Sequence, residues 1–100
     1  MSREIDALVA ENIMGIRRPT LKGFKFTPRY YSTDIAAALE MAERMHEDGY
    51  ELSLNYYLGK GYHAFFTKNS HMYDTVISQS APSALSLAAL KAKGVEVGVG

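Results

Sequence analysis

Apolar side chains recur along this chain at two spacings, and each spacing predicts a kind of element. Residues 2 to 14 place Ile5, Leu8, Val9 and Ile13 at helical intervals before Gly15, which reads as a helix with one apolar face and Ser2 as a candidate N-cap. Ile35, Ala38, Leu39, Ala42 and Met45 repeat that spacing in a second helix, capped within Ser32-Thr33-Asp34 and stopped at Gly49. Its other face carries Glu40 and Arg44, one turn apart and placed to pair weakly. From Tyr50 the period drops to two: Tyr50, Leu52, Leu54, Tyr56 and Leu58 alternate with Glu51, Ser53, Asn55 and Tyr57, the signature of a strand. Gly59-Lys60-Gly61 then predicts a hairpin into residues 62–67, and Asn69-Ser70 a second turn into residues 72–78. A last helix is entered through Ser80-Ala81-Pro82-Ser83, with Leu85, Ala88 and Ala92 as its stripe, widened by Leu87 and Leu90. Lys91 and Lys93 suit its C-terminal end before Gly94, and Gly98-Val99-Gly100 reads as frayed.

The turn lengths set an expected register, in which Tyr56 faces Ala64, Leu54 faces Phe66, and Phe66 faces Tyr73. One face of the sheet then carries Leu52, Leu54, Tyr56, Tyr62, Ala64, Phe66, Tyr73 and Ile77, which makes it the core face. The other carries Ser53, Asn55, Tyr57, His63, Phe65, Asp74 and Val76, too apolar for bare surface and too polar for a dry core. Large side chains on both sides of the middle strand, at Phe65 and Phe66, imply cover on both faces. The expected fold class is α+β: a small α/β/α sandwich with helices flanking an antiparallel sheet of three strands or slightly more, in one domain over residues 1–100.

Composition narrows the chemistry. The chain has 100 residues, 47% hydrophobic and 22% charged, an ordinary globular balance. It has no cysteine, which removes disulfides, thiolate nucleophiles and cysteine-based zinc sites and fits a reducing compartment such as the cytoplasm. The start is charged and no apolar run approaches the roughly 20 residues of a membrane span, so neither export nor membrane anchoring is expected. The net charge is zero but unevenly spread. Residues 15–33 hold Arg17, Arg18, Lys22, Lys25 and Arg29 without an acid, while residues 34–51 hold six acids against Arg44. Either the two blocks are neighbours in the fold, or the basic run, broken by Pro19, Gly23 and Pro28 with a short strand at Phe24-Lys25-Phe26, binds an anion.

Catalytic constellations are absent from the pattern. Glu43 and His46 share a helical face with the spacing of a di-iron ligand pair, but the further carboxylates such a centre needs are not arranged for it, and a solvated face is expected. Ser70-His71 falls in a turn without a nucleophile elbow, and Gly59-Lys60-Gly61 lacks the length and following hydroxyl of a phosphate loop. No metal, cofactor or enzymatic reaction is expected. Two features remain. Asn55, Tyr57, His63, Phe65 and Asp74 could stack on and read a base, or else form a subunit interface or a covered second core. Arg17, Arg18, Lys22, Lys25 and Arg29 could hold phosphate beside the rings of Phe24, Phe26, Tyr30 and Tyr31, or simply balance the acidic second helix.

The segments Met1 to Gly15, Tyr31-Ser32-Thr33-Asp34-Ile35-Ala36-Ala37-Ala38, and Ala81-Pro82 through Leu87-Ala-Ala-Leu-Lys-Ala-Lys-Gly-Val-Glu-Val97 together resemble the small phage ABA-sandwich domain family. The resemblance covers about half the chain and implies a bacteriophage or prophage protein with helices on both sides of a small sheet. It transfers no catalytic residues. The chain departs from the family's usual tryptophan-rich middle by having none, and no ligand preference is taken from relatives. With that background, the first expectation is a non-enzymatic anti-defence protein, cytoplasmic in the infected bacterium, that sequesters a nucleotide immune signal. Arg17, Arg18, Lys22, Lys25, Arg29, Tyr57, His63 and Phe65 would line its site, and a homo-oligomer would bury the ligand. The alternative is a module that binds a host or phage protein through the mixed sheet face. Duplex nucleic acid fits poorly, because zero net charge and an acidic helix oppose its backbone.

Overall fold

A computed structural model describes residues 2–15 and 29–95, with side chains from Glu4 onward. In chain order they form α1 (Ser2–Asn12), α2 (Ile35–Glu47), β1 (Glu51–Tyr57), β2 (Gly61–Lys68), β3 (His71–Met72), β4 (Val76–Ser78) and α3 (Ala81–Ala92). Three helices and a four-stranded antiparallel sheet make an α+β sandwich. The expected strand at Phe24-Lys25-Phe26, the frayed end at 98–100 and the Ser2 cap side chain lie outside what is described.

α3 is the hub. It is apolar on nearly every side, burying Ala84, Leu85, Ala88, Ala89, Leu90 and Ala92 together with Ser86, as a helix surrounded by protein must. It packs against β2 and β4 on one side and against α1 and α2 on others, and its alanines permit the close approach. Ser80 caps it by accepting from the Ser83 N–H at 3.4 Å, and Pro82 sits in its first turn, both as the sequence implies. α2 begins after Asp34, whose side chain accepts from the Ala36 N–H at 3.0 Å. Its buried face is Ala37, Ala38, Met41 and Met45, whereas Ile35 and Leu39 are 45% and 46% exposed. The expected stripe is therefore rotated: small Ala37 and adaptable Met41 fit against the crowded α3 contact better than branched Ile35 and Leu39.

Between the helices lies a buried polar clasp. Asp6 of α1 is fully buried, and its Oδ1 accepts from both the backbone N–H and the hydroxyl of Ser32, each at 2.8 Å. The Ser86 hydroxyl of α3 donates to the Tyr31 carbonyl at 2.9 Å. Tyr31 itself is buried at 1% exposure. Burial pushes its hydroxyl above the ordinary tyrosine value, the Arg29 charge pulls it back, and Asp6 pushes it further up.

The first hairpin differs from the expected register by two residues. Its loop is Leu58–Lys60, not 59–61, and Tyr57 pairs with Gly61, Leu54 with Ala64 and Leu52 with Phe66. The Lys60 N–H donates to the Tyr57 carbonyl at 2.9 Å across Gly59 at φ +79°, the left-handed position of a tight turn. Gly61 opens β2 at φ +93°, where a Cβ would stand 2.7 Å from the Ser78 carbonyl oxygen. A shift of two keeps every side chain of β1 and β2 on its expected face.

The third strand is not continuous. Asn69 and Ser70, at φ +50° and +67°, make the two-residue turn as expected, and the Tyr73 N–H reaches the Phe66 carbonyl at 3.0 Å. Ala64, however, pairs with Val76, so Asp74 and Thr75 together oppose the single residue Phe65. This is a one-residue bulge, and it reverses the faces of everything after it. Val76 packs on the core and Ile77 is 60% exposed, the opposite of the sequence expectation for both. The core itself joins α1, α2 and α3 to Ala64, Phe66 and Tyr50, with the Phe66 and Tyr50 rings edge to face at 6.4 Å.

Replacing Asp6 by Ala removes the acceptor of two buried Ser32 donors and is expected to cost about 3 kcal/mol in urea unfolding, against a smaller loss for Asp6→Asn, which keeps an acceptor. Tyr31 gives a pH dependence. Its raised value means the fold binds the phenolic proton more tightly than the unfolded chain does, so its contribution is complete below pH about 10 and is lost as the pH climbs through the folded value. Tyr31→Phe should therefore show a shallower alkaline loss of stability than the native chain in melts above pH 9.5 or so.

Candidate binding face

The pleat gathers the second sheet face from every strand. Ser53, Asn55 and Tyr57 come from β1, His63, Phe65 and Thr67 from β2, Met72 from β3 and, because of the bulge, Ile77 from β4. Asn55, His63 and Ile77 form one cross-strand row, and Ser53 stands opposite Phe65. The Tyr57 and His63 rings meet edge to face with centroids 4.6 Å apart. Asn55 Nδ2 donates to Ser53 Oγ at 3.4 Å. None of these residues belongs to the hydrophobic core cluster among the described residues.

Burial across the face is graded. His63 and Phe65 are half-buried in its centre, and Tyr57, Met72 and Ile77 surround them with 49%, 63% and 60% of their surface exposed. The His63 Nε2 is buried without a hydrogen-bond partner among the described residues. A buried imidazole nitrogen without a partner costs stability unless a water or another molecule meets it. Ile77 stands on this face in place of Val76 because Asp74 and Thr75 together oppose Phe65.

The structure brings together Tyr57, His63 and Phe65. Arg17, Arg18, Lys22 and Lys25, like Phe24 and Phe26, lie outside the described residues. Arg29 is ion-paired through Nη1 to Glu40 Oε2 on α2, so this member of the basic run is a neighbour of the acidic block. Glu40 is thereby taken from Arg44, which pairs instead with Glu47 at 3.5 Å. Of the loop aromatics, Tyr30 is exposed and Tyr31 is buried in the clasp, where no ligand can stack on it.

Glu43 and His46 line an open apolar groove between α2 and β1, and no three His, Asp or Glu side chains gather as a metal site among the described residues. Lys68 and Lys93 hold their ammonium groups 4.7 and 5.1 Å from the Tyr50 ring centroid, and Lys93 also meets Asp48 at 3.4 Å, fixing the end of α3 against the start of β1. Among the described residues no helix is long and apolar enough to cross a membrane.

Comparison with known proteins adds a lineage to this geometry. The family model of the phage ABA sandwich domain matches residues 7–90. The chain is similar in structure to a phage protein from Bacillus cereus ATCC 14579 seen in a 2.0 Å crystal structure, with a TM-score of 0.81 at 21% identity over 98% of this chain and 92% of that one. At that identity the likeness is one of fold. No curated protein matches the chain in sequence.

Proposed function

The chain belongs to the phage ABA sandwich domain family, and from that premise we propose that it works by binding and not by catalysis, docking a protein of the host or the phage on its second sheet face. The observation that carries this reading is the exposure of Tyr57, Met72 and Ile77 on one surface around half-buried Phe65. Large apolar side chains presented together, with neutral Asn55, Ser53 and Thr67 between them, suit the apolar centre and polar rim of a protein interface. The partner would present a complementary apolar patch. The infected bacterial cell would be the place of action.

A second reading rests on a different observation, the unpaired His63 Nε2 beside the Tyr57 ring. Here the same face takes the base of a nucleotide immune signal, the rings stacking on it and His63 reading its edge, and the protein acts as an anti-defence sponge. Arg29 is committed to Glu40, so the phosphate would fall to other cations. The open face, without an enclosing wall among the described residues, favours the protein partner.

A photo-crosslinking residue placed at Ile77 during infection should trap one discrete protein, while the same residue at exposed Arg44 on α2 should not. Ile77→Glu should weaken that partner at least about tenfold. In parallel, cyclic dinucleotides and ADP-ribose derivatives should leave the melting temperature unmoved. A melting shift that vanishes in His63→Leu establishes the nucleotide reading in place of the first, and the absence of both crosslink and shift overturns both.

A further inference from the structure

The two edges of the sheet are protected unequally. β3 and β4 share one side of β2, and the bulge at Asp74-Thr75 breaks that edge, a device that blunts pairing with another chain. β1 forms the opposite edge. Its seven residues keep an unbroken register with β2 from Glu51 to Tyr57, and no partner lies on its outer side among the described residues. It contains no proline, glycine or lysine, and its one charge, Glu51, stands at its first position. A regular strand of this length, whose outer row of N–H and C=O groups has no strand partner among the described residues, is a template for another strand.

The surface beside this edge is apolar on the helical side. Leu54 and Tyr56 belong to the core face by pleat, yet they are 36% and 58% exposed because α2 reaches only the beginning of β1. Leu39 of α2 is 46% exposed alongside them. Between α2 and β1 runs the groove floored by Leu39, Ala42 and Leu52.

We propose that a second copy of this chain covers that edge, its β1 pairing antiparallel with β1 of the first about a twofold axis at Leu54, so that two sheets become one. The sequence of β1 is self-complementary in this register. Leu54 meets Leu54, and Leu52 meets Tyr56 of the second copy, which lays that exposed ring over the groove at Leu39 and Ala42. On the other face Ser53 meets Asn55, two neutral hydrogen-bonding side chains, and Glu51 meets the Tyr57 hydroxyl end of the strand. The twofold axis satisfies each edge with the other and leaves no open strand to propagate. The proposal stands apart from the binding-face reading, since Leu54 and Ile77 lie on opposite faces; the joined sheet would present two copies of that face side by side.

The test is the mass in solution by light scattering and sedimentation from about 1 to 300 μM, a range spanning micromolar dissociation constants. The native chain should approach twice its 11.1 kDa mass. Leu54→Lys and Leu54→Glu, each placing like charges opposite one another, should raise the dissociation constant at least about a hundredfold, with circular dichroism of the folded chain unchanged. Mixing the two variants should restore a dimer, because position 54 pairs with itself. A native chain that stays monomeric throughout, a charged variant that still dimerises alone, or a mixture that fails to reassociate would overturn the proposal.

Discussion

The Asp6 carboxyl holds together parts of the chain that have little else in common. It accepts from two donors of Ser32 in a site closed to water, and one residue earlier the Tyr31 carbonyl is held by Ser86. α1, the segment before α2, and α3 are thus joined within a few ångströms by hydrogen bonds that would be costly to leave unmade. Asp34 follows two residues after Ser32 and starts α2. The clasp therefore fixes where α2 begins, and through it how far α2 extends over β1. Because that cover ends near Leu52, Leu54 and Tyr56 are left at the surface.

On the sheet, one extra residue has comparable reach. Without the bulge at Asp74-Thr75, Ile77 would face the helices and Val76 would face away. With it, the smaller β-branched Val76 fits against α3 and the larger side chain is presented outside. The same irregularity spoils one edge for pairing while β1 remains straight. Core face, outer face and edge protection are in this way separated within a sheet that is three strands wide among the described residues, the third being split into β3 and β4.

Much of the architecture is readable from spacing. The helices, the caps at Asp34 and Ser80, and the turn at Asn69-Ser70 rest on local chemistry that the sequence displays, and period-two alternation survives a register error of two because parity is unchanged. What sequence cannot display is the tertiary competition for contact. α2 turns its alanines and methionines inward because α3 leaves room for them, which no count of Ile35 and Leu39 foretells. A bulge of one residue has only a weak composition signal, so the reversal of Val76 and Ile77 passes unseen. Burial of Asp6 runs against residue type altogether and depends on Ser32, 26 positions away. The candidate face is legible in the same measure: that Tyr57, His63 and Phe65 share it follows from alternation, that Met72 and Ile77 join them does not, and Arg29 pairs with Glu40 of the acidic helix.

The bulge sets Val76 on the core face and Ile77 on the outer face of the sheet. Methyl NMR with a soluble paramagnetic probe reads this directly. The Ile77 and Met72 methyl signals should be strongly broadened while those of Val76 and Leu85 persist, and a protected Ile77 with a broadened Val76, the pattern of an unbroken third strand, would contradict it.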